Sequence, residues 1–254
     1  MTLLRVYVCG RLAIEHGATV VREAELPARQ GRRVWAYLVL HRRWPVGRDA
    51  LAAALWGDEI PDAWDATLNA LVSRLRAILR PLATEEPGLA IRGEPGRYVL
   101  SLPADAFVDV ERARTAIHET DRLMYQRAHG AALAEARVAM EIAGRGFLPG
   151  EEAPWIEGQR RMLREIQLHA HEQTVAAELG RGHADIAERE AQALIALDPL
   201  RESGYRLLMR ALAAGGNAAQ ARRVIVECRR VLHQQAATAP SPETERLYRD
   251  LVGS

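Results

Sequence analysis

Ala63-Trp64-Asp65-Ala66-Thr67-Leu68-Asn69-Ala70-Leu71-Val72-Ser73-Arg74-Leu75-Arg76-Ala77-Ile78-Leu79-Arg80 is the stretch on which the fold turns. Leu68, Leu71, Val72, Leu75, Ile78 and Leu79 recur at steps of three and four, the spacing of one buried stripe on an α-helix. The opposite side carries Thr67, Asn69, Ala70, Ser73, Arg74 and Arg76, and Pro81 ends the helix. Just downstream, Leu89-Ala90-Ile91-Arg92 and Arg97-Tyr98-Val99-Leu100 flank Gly93-Glu94-Pro95-Gly96, which predicts a β-hairpin.

Upstream of this helix the pattern predicts two more, over Gly31 to Arg43, stopped by Pro45, and over Arg48 to Trp56, stopped by Gly57. The N-terminal stretch alternates instead. Leu4, Val6 and Val8, then Arg11 to Glu15, then Thr19-Val20-Val21 read as three short strands of an antiparallel sheet. From Val108 onward the strand signals stop, and helices are expected at 108–127, 130–144, 154–180, 183–197, 201–214, 217–236 and 242–252. Gly144-Arg145-Gly146-Phe147-Leu148-Pro149-Gly150 reads as a rigid loop with an apolar plug. Gly182-His183-Ala184-Asp185-Ile186-Ala187 superposes on Gly216-Asn217-Ala218-Ala219-Gln220-Ala221 at an offset of 34 residues, the tetratricopeptide period, with Asp198-Pro199 where such a repeat ends its second helix. Pro103-Ala104-Asp105 is the expected boundary. The reading is therefore a mainly α chain, with an N-terminal winged helix-turn-helix domain over 1–103 and an all-helical tetratricopeptide-like domain over 104–254.

Length and composition agree with two folded domains: 254 residues, 48% hydrophobic, net charge +1. Charge is weakly divided, since residues 1–102 hold 14 Arg against 11 acidic residues and the remainder 20 against 22. Every basic residue is Arg, which suits bidentate contacts to phosphate and also follows from a GC-rich genome. Cys9 and Cys228 lie far apart and offer neither a disulfide framework nor a metal-ligand spacing, and read as buried, reduced thiols. The N-terminus lacks the apolar run of a signal peptide and no segment approaches a membrane span, so a soluble, cytoplasmic protein is expected.

The order sheet, helix, helix-turn-helix, hairpin supplies what reading DNA requires: one helix to enter the major groove, a second to brace it, and a basic hairpin to reach the adjacent minor groove. Arg74 is the candidate base contact, because a forked guanidinium reads guanine; Asn69 adds a short polar side chain to the same face, and Ala70 can touch a thymine methyl. Thr67, Ser73 and Arg76 are candidates for holding phosphates, and Arg92 and Arg97 on the hairpin for the minor groove or its phosphates. Asp58, Glu59, Asp62 and Asp65 run against this, since negative charge ahead of the reading helix repels phosphate; they favour a protein-interaction scaffold as the alternative, with a ligand-sensing regulator as a third reading. Other chemistry is thin. His169 and His171 stand two apart and point in different directions on a helix, Glu188 and Glu190 read as a solvated face, and no nucleophile elbow or zinc-type motif occurs. No enzyme activity, cofactor or metal is expected.

Arg48-Asp49-Ala50-Leu51 through Leu55-Trp56-Gly57-Asp58, with Leu68, Ser73-Arg74-Leu75-Arg76 and Gly96-Arg97-Tyr98-Val99-Leu100, resembles the OmpR-type winged helix. Phe147-Leu148-Pro149-Gly150 with Trp155, Leu197-Asp198-Pro199-Leu200-Arg201-Glu202 and Ala239-Pro240-Ser241-Pro242-Glu243-Thr244 resemble the bacterial transcriptional activator domain. In this order the two halves are similar to Streptomyces antibiotic regulatory protein-type activators. The resemblance implies binding to direct repeats in double-stranded DNA near a promoter, recruitment of RNA polymerase, and a homodimer at least on DNA. It also implies that Arg74 reads a base, that Trp56, Thr67, Ser73, Arg76 and Tyr98 contact the DNA backbone, and that Arg92 is the wing arginine. Three departures stand out. Asp65 and Ala66 occupy positions where relatives often carry a basic or amide residue, Gly93 to Gly96 makes a longer wing turn than usual, and no receiver or nucleotide-binding domain is expected to flank the two halves.

Overall fold

The computed structural model describes residues 3–83 and 88–252. The chain forms two compact units, one from residues up to 112 together with 145–163, the other from 113–144 together with 164 onward. Residues 145–163 thus join the N-terminal unit, a placement that the expected division at residue 103 does not contain.

In the first unit the alternation of the N-terminus becomes β1 (Leu4–Tyr7), β2 (Ala13–His16) and β3 (Thr19–Arg22). Val6 faces Ile14 and Ile14 faces Val21, so the buried members of each strand share one side of the sheet. The expected three-stranded antiparallel sheet gains a fourth, parallel member, β7 (Phe107–Val108), beside β1. Two residues have no periodicity to read; what fixes β7 is its neighbour Asp109, whose buried carboxylate accepts the amides of Val8 at 3.0 Å and Cys9 at 2.9 Å. Burial pushes that carboxyl above its usual range, against the pull of those donors.

Three helices follow: α1 (Ala28–Leu40), α2 (Arg48–Trp56) and α3 (Trp64–Leu79). Val34, Trp35 and Leu38, Leu51 and Leu55, and Leu68, Leu71, Val72 and Leu75 are among their buried members. α1 starts three residues before Gly31 and ends three before Arg43. Gly31 lets the first turn close on Pro27, where a Cβ would stand 2.6 Å from the Pro27 Cβ. A second sheet has the order β4-β6-β5, from β4 (Val46–Gly47), β5 (Ala90–Glu94) and β6 (Arg97–Ser101). Here Glu94 pairs directly with Arg97. The hairpin turn is therefore Pro95-Gly96 alone, with Gly96 at φ +72°, and not the longer Gly93-to-Gly96 turn expected.

The 145–163 segment packs into this unit through the anticipated plug. Phe147 and Leu148 are buried, the Gly10 amide donates to the Gly146 carbonyl at 2.8 Å, and the Leu148 amide to Val8 at 3.2 Å. Glu151 receives Arg29 at 2.9 Å, Arg32 at 3.0 Å and Arg33 at 2.8 Å. Burial works to raise its carboxyl, and those three hydrogen bonds outweigh it, holding the group below the usual range.

The second unit is helical, from α4 (Asp109–Tyr125, whose first turn belongs to the first unit), α5 (His129–Gly144), α6 (Pro154–Gly180, shared likewise), α7 (Ala184–Leu197), α8 (Glu202–Ala214), α9 (Ala218–Ala236) and α10 (Pro242–Val252). The 34-residue offset appears in the backbone: Gly182 at φ +81° precedes α7 as Gly216 at φ +77° precedes α9, and Ala187 and Ala221 are both buried. Gly204 allows α8 to close on α7, since a Cβ there would lie 2.9 Å from Ile195 Cγ1. Glu172 binds Arg201 at 2.7 Å and Ser203 at 2.5 Å. Its carboxyl sits at about 2, because hydrogen bonds from His169, Arg201 and Ser203 overcome burial. His169 meets Asp121 at 2.7 Å, and His171 meets Glu190 at 3.1 Å, so Glu190 is a partnered carboxylate and not part of a solvated face. Cys9 and Cys228 are both buried and form no disulfide, and burial pushes Cys228 up to about 11. No helix among the described residues is long and apolar enough to cross a membrane.

Candidate nucleic-acid interface

The apolar stripe of α3 is consumed by the core of the first unit, which leaves its other side in solvent. Asn69, Ala70, Ser73, Arg74 and Arg76 are all exposed, while Thr67 is half-buried and returns its hydroxyl to the Ala63 carbonyl at 3.1 Å. Arg74 stands in the middle of that face with no hydrogen bond or ion pair among the described residues. Its guanidinium is presented to solvent with all five donors unspent, the state from which bidentate recognition of a base edge or a phosphate starts.

Arg76 is less free. Its Nε donates to the Ile91 carbonyl of β5 at 2.9 Å, so it ties α3 to the hairpin while its outer nitrogens remain at the surface. Gly93 makes room for it: a Cβ there would lie 3.3 Å from Arg76 Nη2. Arg92 and Arg97 stand exposed on the hairpin, Arg97 loosely facing Glu94 at 4.0 Å. The structure therefore gathers Arg74, Arg76, Arg92 and Arg97 on α3 and the hairpin that follows it, two elements joined by the Arg76 contact. Trp56 is half-buried at the end of α2.

Tyr98 departs from the expectation of a backbone contact. It is only 4% exposed, and its hydroxyl is spent inside a network. The Tyr98 hydroxyl donates to Asn69 Oδ1 at 2.8 Å and accepts from Arg48 Nη1 at 2.8 Å, with the Arg48 guanidinium 5.3 Å from the ring centroid. Arg48 Nη1 also reaches Asn69 Oδ1 at 3.0 Å, and its Nε and Nη2 grip Asp65 Oδ1 at 3.0 and 2.5 Å. Asn69 completes the ring by donating to Asp65 at 3.3 Å. The start of α2, the first turns of α3 and the start of β6 are thus locked by four side chains, and Asn69 has both ends of its amide engaged. In the sequence Arg48 opens a helix and begins a stretch that resembles the winged helix, with no partner indicated. Its partners lie 17, 21 and 50 positions away, and no local spacing signals such a set.

The model of the family described as Bacterial transcriptional activator domain matches residues 108–252. Among curated proteins, the chain is 32% identical to the regulatory protein AfsR of Streptomyces coelicolor over 230 residues, 88% of this chain and 22% of that protein. It is also 32% identical to the transcriptional regulatory protein EmbR of Mycobacterium tuberculosis over 187 residues, 71% of this chain and 46% of that one. Both are named as regulators, and the chain spans about a fifth of the first and under half of the second. Among solved structures, Mycobacterium tuberculosis EmbR in complex with a low affinity phosphopeptide matches with a TM-score of 0.90 at 24% identity, over 100% of this chain and 66% of that one, a likeness of fold.

Proposed function

This chain belongs to the bacterial transcriptional activator domain family, and from that premise we propose that it binds DNA sequence-specifically through an OmpR-type winged helix-turn-helix within residues 1–103. In this reading α2 and α3 are the helix-turn-helix, α3 lies in the major groove, and the β5–β6 hairpin is the wing. The observation that carries it is the uncovered face of α3 with Arg74 unspent at its centre and a basic hairpin anchored beside it through Arg76. Arg74 reads a base, Ser73 and Arg76 hold phosphates, and Arg92 and Arg97 address the minor groove. The protein acts in the cytoplasm as an activator on direct repeats. Its tetratricopeptide-like part, the helical unit of residues 113–144 and 164 onward, supports side-by-side protomers and offers a surface to RNA polymerase.

Fluorescence anisotropy with the chain's own upstream duplex and a scrambled one tests this. Arg74→Ala weakens the upstream duplex by about 5- to 150-fold, the equivalent of ~1–3 kcal/mol, and the scrambled duplex far less. Equal losses on both duplexes remove Arg74 from base reading, and no binding of either by the wild type removes the proposal.

A further inference from the structure

The acidic residue at the head of α3 has no place in the reading above, and the geometry around it supplies one. Asp65 opens the stripe that continues through Asn69 and Ser73 at four-residue steps, the same exposed side offered to the duplex. Its carboxylate takes two nitrogens of one Arg48 guanidinium on Oδ1, at 3.0 and 2.5 Å. A phosphate oxygen takes an arginine fork in the same way. The pair sits at the surface, with Asp65 58% and Arg48 22% exposed, where an ion pair adds little to stability and either partner can be exchanged. On its inner side Arg48 is held by Asn69 and Tyr98, so its position survives the loss of Asp65.

We propose that Asp65 stands in for a DNA phosphate on Arg48, and that this internal occupancy sets the discrimination between operator and random duplex. The inference rests on the DNA-binding reading above. With Asp65 in place, the start of α3 meets a duplex as a neutral pair instead of a cation, and the sequence-independent attraction of phosphates is reduced by one contact. Exchange of the carboxylate for a phosphate requires parting the Arg48–Asp65 pair. On the operator, base contacts by Arg74 hold the helix in register long enough to favour the exchange. On random DNA nothing repays it. Asp65 and Arg48 are thereby specificity determinants that touch no base, and the acidic residue is an asset to a DNA reader instead of a mark against one.

The test uses the full chain as wild type, Asp65→Asn, Arg48→Ala and the double variant, with anisotropy on upstream and scrambled duplexes from about 50 to 200 mM salt. Circular dichroism melting confirms that each variant is folded. Asparagine keeps the shape of Asp65 and an acceptor for Arg48 while removing the charge. Asp65→Asn is expected to bind the scrambled duplex roughly 3- to 10-fold more tightly, with a log–log salt slope steeper by about 0.9, the signature of one added phosphate contact. The Arg48→Ala background abolishes that gain. A gain that persists without Arg48 means simple repulsion by a carboxylate and overturns the proposal, as does an unchanged affinity and slope in Asp65→Asn while the wild type binds its upstream duplex. Failure of wild type and Asp65→Asn alike to bind either duplex overturns the DNA reading and the inference with it.

Discussion

Replacing Glu151 by Ala removes the one acceptor that three arginines of α1 share, and the structure indicates how the cost divides. The Glu151 side chain is 4% exposed, and its partners Arg33, Arg32 and Arg29 are 10%, 28% and 55% exposed. Arg29 turns to water with little loss, as exposed ion pairs do. Arg33 stays buried and keeps its bonds to the Glu152 carbonyl at 2.7 Å and the Leu55 carbonyl at 3.4 Å, but its Nε is stranded. Breaking a buried pair by removing one partner costs about 3–5 kcal/mol. With a urea slope of about 1–3 kcal/mol/M, the unfolding midpoint of the first unit falls by roughly 2 M. Equilibrium unfolding followed by tryptophan fluorescence reads this, since Trp35 is buried in α1 and Trp155 lies four residues beyond Glu151. The sign with pH follows from the depressed carboxyl: the stabilisation is present above the ordinary carboxylate value and is lost as pH falls through the lower folded one. The gap between wild type and variant therefore closes in acid. A midpoint shift below about 0.5 M, or an Arg29→Ala variant as damaging as Arg33→Ala, refutes the reasoning.

Arg76→Ala should weaken upstream and scrambled duplexes by similar factors and flatten the salt slope by about 0.9. Because its Nε holds the Ile91 carbonyl, amide exchange in β5 should also quicken, and unchanged protection there would show that Arg76 does not anchor the hairpin. In the second unit, the Glu172 carboxyl at about 2 contributes stability that is full above its ordinary value of 4.5 and drains as pH falls toward 2. The melting difference between wild type and Glu172→Gln should shrink across that window, and a difference independent of pH would count against the network. Gly204→Ala forces a Cβ to 2.9 Å from Ile195 Cγ1 and should cost ~1–3 kcal/mol by overpacking, recovered in part by Ile195→Ala; a melting temperature equal to wild type would contradict the close approach of α7 and α8.

Helices were legible where a stripe recurs over three or more turns, as in α3, and where glycine at positive φ breaks the pattern, as at Gly182 and Gly216. Strands of two residues were not. β4 and β7 exist only because Tyr98 and Val6 lie opposite them, and no period can be read from two positions. The plug at Phe147 was visible as an apolar island between glycines, but its destination beside Cys9 depends on chain folding over 138 positions. At the candidate interface, exposure of Asn69, Ser73 and Arg74 followed from their place opposite the buried stripe. The burial of Tyr98 does not belong to that stripe but to the alternation of β6, where Tyr98 and Leu100 are the buried members, and the four-residue lock around Arg48 was not legible at all.

The interleaving of the two units has a practical and an evolutionary consequence. A gene fragment cut at codon 103 encodes α3 and its hairpin but leaves out Phe147, Leu148 and the acceptor of the three α1 arginines. Exchanging front halves between relatives at that point would likewise pair arginines from one parent with a carboxylate from another. Ancestral shuffling and laboratory chimeras alike should succeed more often when the crossover falls beyond 163, so that every piece of the first unit travels in one cassette.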